Sequence, residues 1–133
     1  MAGSLSWLAE RLRANGKVLA LQDEIIGANQ TWQDKTATRS IGTEYTNNTG
    51  VPIMVSVVID NWNGTSGEPI IATTMFVGGA TVGKFVLRGL DAVSTEEVTM
   101  TTIVPVGANY HVTIDTPSTT GFLKTWSELR GEA

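Results

Sequence analysis

The chain has 133 residues, a formal net charge of −4, no cysteine, one histidine and only 17% charged residues. That length fits one domain with room for an appended segment. The missing cysteine excludes disulfides and thiolate metal sites, the scattered Lys and Arg give no basic stripe for nucleic acid, and no apolar run approaches the ~20 residues that span a bilayer.

The first zone covers residues 1–30 and is expected to act as an attachment segment. Ser4 can cap a helix, and Leu5, Leu8, Ala9 and Leu12 recur at helical spacing. Asn15-Gly16 supplies the stop, because glycine tolerates the left-handed conformation that ends helices. Residues 5–14 therefore predict a short amphipathic helix that needs a surface, since isolated helices below ~12–15 residues rarely hold in water. Leu5, Leu8 and Leu12 are its candidate anchor residues. Glu10, Arg11 and Arg13 break any apolar stretch that could serve as an export signal. Residues 17–26 fit a helix about as well as a strand; Gly16 and Gly27 at either end favour a strand or extended segment.

The second zone, 31–133, is β-rich. Residues 31–46 alternate loosely and run into the turn cluster Asn47 to Gly50. Next, Val51, Ile53, Val55, Val57 and Ile59 point one way along a strand. That face is expected to fill a core. Pro52, Met54, Ser56 and Val58 point the other way and are too apolar for open water. Either a subunit interface or cover by the N-terminal segment would account for them, so Met54 and Val58 are candidate interface residues. Residues 68–89 predict two strands joined at Gly78-Gly79. Val98, Met100 and Val104 share one face of the next strand. Pro105 and Gly107 then make a turn, and Ala108, Tyr110, Val112 and Ile114 alternate with polar residues. Six to eight short strands of this kind predict an antiparallel β-sandwich or barrel.

Catalytic constellations are hard to assemble from these residues. A Ser–His–carboxylate set would need His111, which sits mid-strand and reads as a surface or subunit-contact residue. Asp60, Glu68, Asp91, Glu96, Glu97 and Asp115 show no spacing that favours a glycosidase pair. "VGGATVGK" lacks the spacing of a phosphate-binding loop. The oxygen-rich stretch from Asp60 to Glu68 puts Trp62 and Gly64 where a calcium loop needs ligands. Trp62 is either a sugar-stacking or partner-contact residue on that loop, or a lid over the core rim. No enzyme activity and no cofactor or metal are expected. Asn29, Asn47 and Asn63 match the glycosylation pattern but follow no export signal.

Three ordered motifs carry a resemblance. "TWQDKTATRSIGTEYTNNTGVPIMVSV", then "VPVGANYHV", then the terminal "WSELR", resemble the C-terminal β-domain of bacteriophage tail fibres and related virion spike proteins. The matching residues include Trp32, Thr36, Arg39, Tyr45, Asn47, Thr49, Gly50 and Pro52, then Pro105, Gly107 and Tyr110, then Trp126 to Arg130. Matching between 60 and 100 is weak. The resemblance implies a jelly-roll-like sandwich, a homotrimer on the virion surface, frequent contact with host glycans, and no catalytic residue. A long fibre places hundreds of shaft residues before this domain, whereas about thirty precede it here. The expected protein is therefore a short spike or fibre tip, fixed to another virion protein through residues 1–30. Its receptor contacts are expected at Asp60, Asn61, Trp62 and Asn63, with a second exposed polar patch near Ser118 to Thr120. Glu128 and Arg130 are expected to pair within or between subunits. A capsid decoration or head spike without a receptor role is the alternative. A monomeric carbohydrate-binding module is a third reading, but the four Trp fall in separate segments.

Overall fold

The computed structural model describes residues 25–62, 70–88, 95–115 and 121–131. The strands are β1 (Thr31–Asp34), β2 (Tyr45–Thr46), β3 (Ile53–Trp62), β4 (Ile70–Val77), β5 (Ala80–Arg88), β6 (Thr95–Val104), β7 (Asn109–Asp115) and β8 (Gly121–Arg130). They form two antiparallel four-stranded sheets, ordered β1-β8-β3-β6 and β2-β7-β4-β5. Eight strands in this order make the two interlocked Greek keys of a jelly roll. Leu5, Leu8, Leu12 and the predicted helix 5–14 lie outside the described residues. Of the segment 17–26, only Ile25 and Ile26 are described, and they belong to a bend and turn rather than a strand.

Burial follows the alternation. Ile53, Val55, Val57 and Ile59 on β3 are fully buried, and Met75, Val98, Met100, Val104, Tyr110, Val112 and Trp126 complete the core between the sheets. Val51 precedes the strand and is only half-buried, so the inward face begins at Ile53. Gly78 and Gly79 form a two-residue hairpin with φ of 59° and 81°. Positive φ at both central positions matches the right-handed twist of the flanking strands and selects glycine. A bulge in β8 reconciles an awkward sequence: Val57 pairs with Trp126 but Ile59 pairs with Leu123, which leaves Lys124 as the extra residue. Leu123 and Trp126 thus both face the core despite a spacing of three.

The loosely alternating stretch 31–46 becomes two short strands rather than one. Between them, Thr36–Thr38 form a 3-10 turn. Side chains hold this turn in place. Asp34 Oδ1 accepts from Thr36 N at 2.9 Å, and Thr36 Oγ1 accepts from Trp126 N at 2.9 Å.

Strand direction gives the sandwich two unlike ends. The base carries Gln30 and Thr31, the turns 47–52, 78–79 and 105–108, and the exit at Gly131. The far end carries the strand termini Trp62, Ile70, Arg88, Thr95, Asp115 and Gly121. Asn47 stitches the base. Its Nδ2 donates to Val51 O at 2.8 Å and Val104 O at 3.0 Å, and its Oδ1 accepts from Thr49 N at 3.1 Å. A buried amide with its groups so occupied is unavailable as a glycan acceptor.

Core and edge should respond differently to truncation. Ile53→Ala is expected to cost about 2–5 kcal/mol. Val82→Ala, on the half-exposed edge strand β5, should stay within about 0.5 kcal/mol of the parent. Urea denaturation of both variants checks this.

Candidate functional site

Strand β8 sends Trp126, Glu128 and Arg130 to the inner side of its sheet, two residues apart. The result is a carboxylate with no exposed surface. Glu128 Oε2 accepts from Arg39 Nε at 3.0 Å, Tyr110 OH at 2.9 Å and Trp126 Nε1 at 3.0 Å. Oε1 accepts from Arg39 Nη2 at 3.1 Å and Arg130 Nη1 at 3.0 Å. Arg39 therefore grips both oxygens as a planar fork, which lysine could not do. Five donors fill about four lone-pair sites. Around them, the Arg39 guanidinium lies 4.5 Å from the centroid of the Tyr45 ring. Tyr45 meets Trp126 edge-on at 5.7 Å and Tyr110 at 5.9 Å.

Burial pushes the Glu128 carboxyl up, but the bonds from Arg39, Tyr110 and Trp126 together outweigh it and hold the group below the ordinary carboxylate range. Tyr110 is pushed up to about 12, first by burial and then by the neighbouring carboxylate charge. Arg39 loses stability as a cation through burial but regains more from Glu128, so it stays protonated.

Of the two arrangements expected for Glu128 and Arg130, the pairing within one chain is present: Arg130 Nη1 donates to Glu128 Oε1 at 3.0 Å. All the donors to Glu128 come from its own chain, and its side chain has no surface to offer a partner. Arg130 is mostly buried and spends Nη1 on the same carboxylate. Met54 and Val58, by contrast, lie half-buried on the outer face of β3.

That outer face has two parts. At the base, Trp32, Leu129, Met54 and Ile103 pair directly across β1, β8, β3 and β6, forming one apolar row. Trp32 is 51% and Ile103 50% exposed. Above the row comes a field of small hydroxyls: Ser127, Ser56 and Thr101, with Ser56 Oγ 3.0 Å from Thr101 Oγ1, then Thr125 and Thr99 on either side of Val58.

The predicted receptor residues fall at the opposite end. The backbone of Asn61 and Trp62 makes the last two positions of β3, and Asn63 lies outside the described residues. Asp60 is mostly buried with no partner for Oδ1, and it pairs across β3 and β6 with Glu97, which is itself bonded to Lys124. Ser118 to Thr120 also lie outside the described residues. His111 is on the outer face of the second sheet, stacked on Phe76 at 4.6 Å and 3.7 Å from Glu44 Oε2. Among the described residues no group of three or more His, Asp or Glu could hold a metal ion.

The Glu128–Arg130 pair is legible in the sequence, whereas the bonds from Arg39 and Tyr110 come from distant residues and are not. The available signal was parity: Trp126, Glu128 and Arg130 share a face, and the tryptophan demands burial.

Replacing Glu128 by Gln should cost about 3–5 kcal/mol, since it leaves two guanidiniums facing a neutral group. The sign with pH follows from the depressed carboxyl. Its stabilisation is complete above the ordinary value of 4.5 and is lost as pH falls through the lower folded value. Urea midpoints measured across the acid range should fall steeply in the parent and more gently in Glu128→Gln. An identical acid slope in both would contradict the assignment. On the alkaline side, Tyr110 contributes stability below its ordinary 10.0 that is lost as pH rises towards about 12.

Comparison with known proteins completes the description of the site. No family model and no curated protein sequence matches the chain. Among solved structures it is similar to the C-terminal domain of EclA, described as a sugar-binding protein (11% identity, TM-score 0.44, covering 78% of this chain and 81% of that one). It is also similar to a family 35 carbohydrate-binding module from Clostridium thermocellum (14% identity, TM-score 0.37, 78% and 89%). A third is a pentameric capsid protein isolated from metagenomic phage sequences (16% identity, TM-score 0.36, 90% and 73%). Likeness at this level does not define a common function.

Proposed function

We propose that this chain is a non-enzymatic bacteriophage virion protein: a short homotrimeric surface spike or fibre tip that binds a glycan on the host cell. The observation that carries this reading is the polarity of the sandwich. The chain enters at Ile25 to Thr31 and leaves at Gly131 at the base, next to the apolar row. The strand termini at Trp62, Ile70, Arg88, Thr95, Asp115 and Gly121 stand at the other end. A molecule fixed at one end and presenting connections at the other suits a display protein.

In this reading residues 1–30 hold the protein to another virion protein, with Leu5, Leu8 and Leu12 organising that segment. Asp60, Asn61, Trp62 and Asn63 meet the receptor. The outer face above the apolar row, bearing Val58, packs against sister subunits, where its low charge costs little to bury. The ordered motifs shared with tail-fibre β-domains support the same assignment.

One observation favours a second reading, a capsid decoration or head spike without a receptor role. Thr36, Arg39, Tyr45, Asn47, Tyr110, Trp126 and Glu128 are all engaged in building the base and the hub. The motifs therefore support the scaffold more directly than any receptor contact. Imaging of purified virions separates the two: a few copies at the tail fit the first, and many on the head fit the second.

Light scattering coupled to size exclusion should give the mass of three chains, and a stable monomer at micromolar concentration would defeat the trimer. Trp62→Ala is expected to lower binding to host-surface polysaccharide at least tenfold, a loss of about 1.4 kcal/mol, while leaving the thermal midpoint unchanged. Deleting residues 1–30 should abolish incorporation into virions while the sandwich still folds.

A further inference from the structure

We infer that the apolar row at the base is the docking site for this chain's own N-terminal segment, with Leu5, Leu8 and Leu12 seated across Trp32, Leu129, Met54 and Ile103. The row is unusual for an outer sheet face. Its four side chains are directly paired across all four strands, and both ends are about half exposed. Ile25 and Val106, at the same end of the sandwich, are also about half exposed, at 50% and 53%. Four of the seven large exposed hydrophobics among the described residues thus gather at the base, and the other three sit on β5. A contiguous apolar patch of this kind marks a covered or contacted surface.

The occupant is identified by where the chain enters. Gln30 Nε2 donates to Pro52 O at 2.9 Å, two residues before Met54, and a Cβ on Gly131 would lie 3.8 Å from Asn29 O. Residues preceding Ile25 therefore join the domain beside the row. Residues 5–14 carry leucines at helical spacing and are too short to persist as a free helix. As a helix they would be about 15 Å long. The row crosses three strand-to-strand gaps, about 14 Å in all. Residues 15–24 can reach roughly 33 Å when extended, so the tether imposes no strain. An apolar stripe without a surface and an apolar row without cover, matched in length and joined by a sufficient linker, fit one another. The effective concentration of a tethered segment also favours it over the same segment from a second chain.

The docking depends on the fold and the sequence alone, so it stands or falls separately from the virion assignment. A photo-crosslinking amino acid at position 103 of the full chain, in a mixture of isotopically light and heavy protein, tests it. The expected product joins position 103 to residues 5–12 carrying the same label. Adducts between light and heavy chains would overturn the assignment in favour of a second copy, and so would the absence of any adduct to 5–12. Hydrogen exchange gives a second reading. The paired substitution Trp32→Ser and Ile103→Ser alters two half-exposed side chains and should leave β3 protected. It should reduce protection of residues 5–14 by an order of magnitude or more. Unchanged protection of 5–14 would overturn the docking.

Discussion

The sandwich is organised around one buried negative charge. Glu128 has no contact with solvent, and its ionised form persists only because Arg39, Arg130, Tyr110 and Trp126 all donate to it. These donors come from different parts of the chain. Arg39 arrives from the connection between β1 and β2, Tyr110 from the opposite sheet, and Trp126 and Arg130 from β8 itself. They must be in place together, or the charge is left unpaired in the core. A one-residue slip of β8 would turn Glu128, Trp126 and Arg130 outward and bring Ser127 and Leu129 inward. The hub therefore fixes the register of β8, and with it the strands on either side, β1 and β3. A buried ion cluster adds little net stability compared with an apolar core of the same volume. What it adds here is a requirement that only one arrangement of these strands meets.

That requirement explains which parts of the fold could be read from residues in order. β3, β6 and β7 alternate apolar and other residues, so their inward faces were plain, and Gly78-Gly79 marked its own hairpin. β1 and β2 gave no such signal, because side-chain bonds rather than apolar periodicity hold them. Asp34 fixes the turn by accepting from Thr36, and Thr36 and Arg39 fasten that stretch to β8. β8 was partly hidden too. The bulge at Lys124 breaks the alternation between Leu123 and Trp126. The partners that fix these stretches lie about ninety residues away, Thr36 with Trp126 and Arg39 with Glu128, so no short window along the chain contains both members of those pairs. The candidate receptor residues were legible only as a polar loop next to a tryptophan. The hub was not legible as a site, because the burial of Glu128 depends on Arg39 and Tyr110, each distant in sequence.

The same contacts give meaning to the three ordered motifs. Thr36 accepts from the Trp126 backbone, Arg39 grips Glu128, Tyr45 packs on Trp126 and Tyr110, and Asn47 ties the 47–52 turn to the 104–108 turn. Residues separated by almost a hundred positions thus belong to one physical unit at the base and centre of the sandwich. Such a unit tolerates little substitution, since each member leaves another buried polar group unpaired when removed. No comparable constraint acts at the far end through these contacts. The weak matching between residues 60 and 100 lies largely in strands β4, β5 and the connections they reach there.

A rigid base also changes how the two ends can be used. Backbone pairing holds the entry strand β1 against β8, the hub ties the following connection to β8, and the Asn47 stitch joins the two turns beside them. The outer face of the first sheet follows the same division: apolar across the base, small hydroxyls above. An apolar row extending along the whole face would favour nonspecific association. Confined to the base, beside the point where the chain enters, it has a local occupant within reach, and the hydroxyl field above it remains compatible with water or with a polar subunit contact.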